Sequence, residues 1–97
     1  MKTETEISIA VVSYNTCKAT LRCLTFVQEA TEGMKASFIL VDNGSTDGTV
    51  DAVLQGFPQW EIIRLSNNPG YGAALNKAFE NSNAAFILAL NSDLYLD

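Results

Sequence analysis

The chain has 97 residues, 47% of them hydrophobic, with 11 acidic against 6 basic side chains and a formal net charge of −5. That length and apolar share fit one globular domain and exclude a disordered chain. So few Lys and Arg exclude a nucleic-acid backbone as partner, and a phosphate-bearing ligand would have to be held by backbone amides or a bound cation.

Histidine is absent, which removes His-based triads and His-rich zinc sites from consideration. The apolar run Ile7 to Val12 is too short for a signal peptide or a membrane span, so the chain is expected to be cytoplasmic. It reads as a first strand, rich in β-branched residues. Cys17, Leu21, Leu24 and Val27 then recur at helical spacing, with Asn15 or Thr16 as the expected cap. On that helix Cys17 and Cys23 fall on different faces, so two reduced thiols are expected rather than a disulfide.

Gly33 ends the helical segment, and Phe38 to Val41 forms the second strand. After the turn Asn43-Gly44-Ser45, with Ser45 or Thr46 expected to cap, Val50, Val53, Leu54 and Phe57 mark a second helix that Pro58 closes. Glu61 to Leu65 is a third strand, placed near an edge by the charges it carries. A loop at Asn67 to Gly70 leads into a third helix with the stripe Tyr71, Leu75, Ala78 and Phe79. Ala85 to Leu90, apolar throughout, is expected to be a central strand buried on both faces.

The order β-α-β-α-β-α-β predicts an α/β fold, a Rossmann-like open and mainly parallel sheet with right-handed crossovers. In such a sheet the carboxyl ends of the strands share one edge, where ligands bind. Each predicted strand ends in a polar cluster: Ser13-Tyr14-Asn15, Asp42-Asn43-Gly44-Ser45, Ser66-Asn67-Asn68 and Asn91-Ser92-Asp93. Four distant segments therefore converge on one rim. Gly70-Tyr71-Gly72 resembles the start of a dinucleotide fingerprint, but Leu75 stands where the third glycine belongs, and the chain has no phosphate-binding P-loop motif.

With these clusters in place, the sequence resembles the family-two glycosyltransferases. Four motifs carry the resemblance, in the family's order: Val11 to Asn15, Val41-Asp42-Asn43-Gly44-Ser45-Thr46-Asp47-Gly48-Thr49, Asn68 to Ala78, and Leu90-Asn91-Ser92-Asp93. The third is closest in style to the rhamnosyltransferase-like branch. The resemblance implies a GT-A fold, truncated here, with residues 1–97 as the nucleotide-sugar-binding part and the general base beyond Asp97. It implies transfer of a sugar, with inversion, from a UDP- or dTDP-sugar to a hydroxyl of a saccharide or lipid-linked acceptor. A free-standing nucleotide-binding module without turnover is the alternative.

By the same resemblance, Tyr14 would flank the base while Ser13 and Asn15 shape its loop, and Asp42 would accept a hydrogen bond from the base's ring N–H. Gly70 and Gly72 would let backbone approach the nucleotide, with Asn68 and Asn76 beside it. Asp93 would bind Mg²⁺ or Mn²⁺, hard cations that take oxygen ligands. Asn91 stands where the family often has a second carboxylate, which should weaken the metal site. A sheet edge left open is further expected to favour self-association.

Overall fold

Strand β1 (Ile7–Ser13) is the axis of the molecule, and the other elements arrange themselves around it. The computed structural model describes residues 7–66, 68–80, 82 and 86–92, with the backbone alone at 71 and 86. After β1 the chain runs through α1 (Cys17–Ala30), β2 (Ala36–Asp42), α2 (Thr49–Gly56), β3 (Glu61–Arg64), α3 (Tyr71–Glu80) and β4 (Phe86–Asn91). The sheet order is β3-β2-β1-β4, and every pairing is parallel. This is the alternating α/β architecture that the hydrophobic pattern predicts.

Alternation along β1 decides the layers, because successive side chains leave a strand on opposite faces. Ile9 and Val11 join Leu40 in a cluster with Cys23, Leu24 and Val27 of α1, Val53 of α2, and Trp60. Ala10 and Val12 join Ile39 and Val41 against Ala74 and Ala78 of α3. Helices α1 and α2 thus cover one face and α3 the other, as right-handed crossovers require when the chain reverses direction across the sheet. On the first face Trp60 stacks on Phe38 at 4.9 Å between ring centroids. Its indole N–H donates to Gln28 Oε1 at 2.9 Å, so the buried ring leaves no polar atom stranded.

Three expectations about the helices and strands change. The contact surface of α3 is Ala74 and Ala78, both fully buried, with Leu75 packed beside them, whereas Phe79 is half exposed and the side chain of Tyr71 lies outside the described residues. Small side chains let this helix settle close on the sheet, so the bulky ring is turned outward. In α2 the contact rests on Val53 while Leu54 faces solvent, and the helix ends at Gly56, leaving Phe57 outside it. Finally, β4 lies at an edge of the described sheet and not at its centre. It is apolar on both sides because Leu90 packs into the α1–α2 cluster and Ile87 into the α3 cluster, yet Leu88 is 47% exposed. The assignment of β3 to an edge, made from its charges, agrees with the observed order.

The tight α3 contact can be tested. Ala78→Leu adds three carbons where no space exists and is expected to destabilise the fold by about 2 kcal/mol. The exposed neighbour provides the control, since Ala73→Leu should change stability by less than about 0.5 kcal/mol in the same urea titration.

Candidate functional site

Because β2 and β3 lie on one side of β1 and β4 on the other, the topological switch falls between β1 and β4. The carboxyl end of an open sheet at its switch point is where a crevice opens. A cleft of about 250 Å³ lies there, lined by Val12, Ser13, Tyr14, Thr16, Asn43, Asn68, Asn91 and Ser92. Backbone hydrogen bonds carry the strand ladder into this rim. Asn43 N–H donates to Ser13 O at 2.8 Å, Asn68 N–H to Asn43 O at 2.9 Å, and Ser92 N–H to Val12 O at 3.0 Å. Residues from all four polar clusters therefore meet at one place.

Asp42 takes a different position from the one read in the sequence. It is wholly buried, and both carboxylate oxygens turn inward. Oδ1 accepts from the Ser13 hydroxyl at 2.9 Å and the Ser45 hydroxyl at 2.5 Å. Oδ2 accepts from the N–H of Gly44 at 3.1 Å and of Ser45 at 2.8 Å. Four internal donors saturate the group, so in this structure it organises the turn and offers no face to the cleft.

Its neighbour Asn43 is the reverse case. Asn43 is 3% exposed and lines the cleft, and its Oδ1 is a buried acceptor with no hydrogen-bond partner. A buried polar atom left unpaired costs roughly 1–3 kcal/mol, so such atoms are rare and the donor that satisfies this one comes from outside the chain, as water, ion or ligand. Nothing in the sequence singles out Asn43 from the turn around it; the signal is visible only once burial is known.

The loops on either side of Asn43 are braced to each other. Asn15, at φ 52° in the left-handed region that asparagine tolerates, receives the Thr46 N–H on its side-chain oxygen at 2.8 Å. Its own N–H donates to Ser45 Oγ at 2.8 Å. Asp47 accepts from Cys17 N–H at 3.0 Å through Oδ2 and from Thr49 N–H at 3.2 Å through Oδ1, which also accepts a hydrogen bond from the Thr49 hydroxyl.

This corrects the expected caps. Neither Asn15 nor Thr16 caps α1 through its side chain, and Ser45 and Thr46 serve the brace instead of capping α2. Asp47 supplies the acceptor for the first N–H of both helices, while Gly48 takes the left-handed φ of 87° at the start of α2. The Thr49 hydroxyl, with backbone N–H groups of Cys17 and Thr49, holds the Asp47 carboxyl below its ordinary value against a smaller opposing effect of burial. A depressed carboxyl stabilises the fold above the unfolded-state pKa and loses that contribution as pH falls through the folded-state pKa. The stability gap between wild type and Asp47→Ala is therefore expected to stay constant from neutral pH to the ordinary aspartate range and to narrow below it, measured by urea unfolding across acid pH.

On the other wall, the hydroxyls of Thr16 and Ser92 lie 2.7 Å apart, and Thr16 continues to the buried Thr20 hydroxyl at 3.1 Å. Ser92 belongs to the fourth polar cluster expected at the rim, whereas Thr16 was expected only as a helix cap, and both line the cleft. Of the residues expected to bind nucleotide, Ser13, Tyr14 and Asn68 line the cleft and Asn15 and Asp42 do not, while Asn91, expected as a metal ligand, lines it too. Gly70, Gly72 and Asn76 are not among the lining residues, and Gly72 and Asn76 are exposed on α3. Asp93, the expected metal ligand, lies outside the described residues. Among the described residues no group of three His, Cys, Asp or Glu side chains could hold a metal. The cleft does offer hard oxygen donors, the Asn91 amide and the Ser92 and Thr16 hydroxyls, which suit Mg²⁺ or Mn²⁺ in kind.

Residues 8–97 match the family described as Glycosyl transferase family 2. The chain belongs to that family. Among curated relatives of this family-two chain, the N-acetylglucosaminyl-diphospho-decaprenol L-rhamnosyltransferase of Mycobacterium tuberculosis is 37% identical over 71 residues, 73% of this chain. The dolichyl-phosphate beta-glucosyltransferase of Saccharomyces cerevisiae is 29% identical over 99 residues, 90% of this chain. The chain spans 23% and 29% of those two relatives' lengths.

Among solved structures, the family-two chain superposes on the mannosyltransferase PcManGT from Pyrobaculum calidifontis in complex with GDP-Man and Mn²⁺. The TM-score is 0.82 at 22% identity, covering 94% of this chain and 28% of that one. It also superposes on TarS from S. aureus, with a TM-score of 0.81 at 25% identity, covering 96% of this chain and 29% of that one. The fold is thus the GT-A fold. No helix among the described residues is long and apolar enough to cross a membrane.

Proposed function

We propose that this cleft receives the nucleoside end of a nucleoside-diphosphate sugar, and that the chain is the donor-binding part of a glycosyltransferase moving the sugar to an acceptor hydroxyl with inversion. The observation that carries the reading is the cleft at the sheet's switch point, lined by residues of all four strand-end polar clusters, with Asn43, whose Oδ1 has no partner within the chain, in its wall. Bases with a ring N–H, such as uracil, thymine and guanine, supply the donor this atom lacks. Cytosine and adenine present an acceptor at the corresponding ring position. The contact expected at Asp42 thereby moves one residue along, to a group that faces the ligand.

Tyr14, 44% exposed beside the cleft, is placed to lay its ring against the base. Ser13 and Asn15 act indirectly, one by fixing Asp42 and the other by bracing the loop. Asn91, with Asp93 after it in sequence, would hold Mg²⁺ or Mn²⁺ against the diphosphate. When bound, the cation would supply charge neutralisation that six basic residues in the whole chain do not. The printed names of the relatives, which include a rhamnosyltransferase and a glucosyltransferase, support sugar transfer as the reaction class.

Calorimetric titration of the chain with UDP, dTDP, GDP, CDP and ADP, with and without Mn²⁺, tests the proposal. Binding is expected for the first three and to be weaker for CDP and ADP, with Mn²⁺ tightening the diphosphates. A folded sample that releases no heat with any of the five would refute it.

A further inference from the structure

We infer that Asp47 is a positioning residue for nucleotide binding, a clasp that sets the distance between the two loops forming the base end of the cleft. The inference rests on the nucleotide reading above and deepens it. Asp47 is solvent-exposed and does not line the cleft. Its two carboxylate oxygens nevertheless reach the first N–H of α1, at Cys17, and the first N–H of α2, at Thr49. Helix N-termini carry unsatisfied donors and a partial positive charge, so an acceptor-only carboxylate is the side chain suited to serve both at once.

The loop ahead of α1 carries Tyr14 and Thr16, and the loop ahead of α2 begins with Asn43, all three at the cleft. An independent set of hydrogen bonds ties the same two loops. Asn15 bonds to Ser45 and Thr46, and Ser45 in turn bonds to Asp42 beneath Asn43. The register between Tyr14 and the Asn43 acceptor is therefore fixed from the outer side by Asp47 and from the inner side by Asn15 and Ser45. Loosening the outer tie lets α1 and α2 drift apart at their first turns, and the base no longer fits ring and acceptor at the same time. Cutting a hydrogen bond outside the cleft thereby weakens binding inside it.

The experiment is UDP titration of wild type, Asp47→Ala and Asp47→Asn, at a temperature where circular dichroism shows all three folded. Asp47→Ala is expected to raise the Kd for UDP about fivefold through lost pre-organisation of the two loops. Asp47→Asn, which keeps one acceptor oxygen but turns an NH₂ toward the other helix, should fall between the two. If Asp47→Ala does not fold, the Asn variant decides on the same criterion. A Kd within twofold of wild type in the folded variants, with a lowered unfolding midpoint, would show Asp47 to be a stabilising cap only and overturn this inference alone. Absence of binding by the wild type to UDP, dTDP, GDP, CDP and ADP alike would overturn the nucleotide reading and this inference with it.

Discussion

Asp42→Ala is expected to lower the unfolding free energy by about 4 kcal/mol, the largest single-residue effect at the rim. The substitution removes one acceptor group but strands four donors: the hydroxyls of Ser13 and Ser45 and the N–H groups of Gly44 and Ser45. Ser13 and Ser45 are themselves 1% and 4% exposed, so water does not replace the missing partner without opening the turn. A buried donor left unmade costs roughly 1–3 kcal/mol, and the two serine hydroxyls can rotate to recover part of the loss. Urea unfolding measures the effect directly. A loss below about 1 kcal/mol would show that the turn stands without its carboxylate, and would return Asp42 to consideration as a ligand contact.

Asn43→Ala should separate binding from stability in the opposite sense. Its backbone hydrogen bonds to Ser13 and Asn68 survive any side-chain change, and Oδ1 satisfies nothing inside the folded chain. Stability is expected to stay within about 1 kcal/mol of wild type, because removing an orphaned acceptor relieves a penalty while removing some packing. UDP binding should weaken about tenfold, the worth of one well-made hydrogen bond in a desolvated setting. Discrimination between UDP and CDP should shrink along with it. Isothermal titration paired with urea unfolding on the same preparation reads both quantities. A variant that binds UDP normally would remove Asn43 from the site.

The fold was legible in the sequence because its causes are local. β-Branched runs and helical spacing fixed seven elements in order, and helical crossovers between strands implied parallel pairing and a polar rim. The order of strands was not legible. The run at Ala85 to Leu90 reads as a central strand because apolar residues alternate on both faces, and only the packing of Leu90 and Ile87 into separate clusters explains that pattern at an edge. Phe79 misled for a related reason: periodicity finds large side chains, whereas the α3 contact is made by Ala74 and Ala78.

Around the cleft, the lining positions of Ser13, Tyr14, Asn68 and Asn91 were legible because polar clusters after parallel strands share one edge. The exchange of parts between Asp42 and Asn43 was not readable, since adjacent residues in a turn differ only in which way they point. The cleft position of Thr16, the Thr16–Ser92 pairing and the part played by Asp47 were equally hidden. Each depends on a partner between 2 and 76 positions away, and a hydroxyl or carboxylate in a loop carries no mark of the partner it will find.

The placement of β1 between β2 and β4 has a consequence for how the molecule assembles. Pairing of β1 with β2 and β2 with β3 closes through single helical crossovers, whereas the Thr16–Ser92 hydrogen bond joins residues 76 positions apart. Distant contacts are the slow ones, since the entropy of closing the intervening chain must be overcome before any of them forms. The walls of the cleft come from both sides of β1, so the cleft is expected to be complete only once β4 joins the β3-β2-β1 half, an order that folding kinetics of variants in β3 and β4 would check. On the proposed function, a nucleotide that binds only the completed cleft is expected to favour the sheet with β4 in place by mass action.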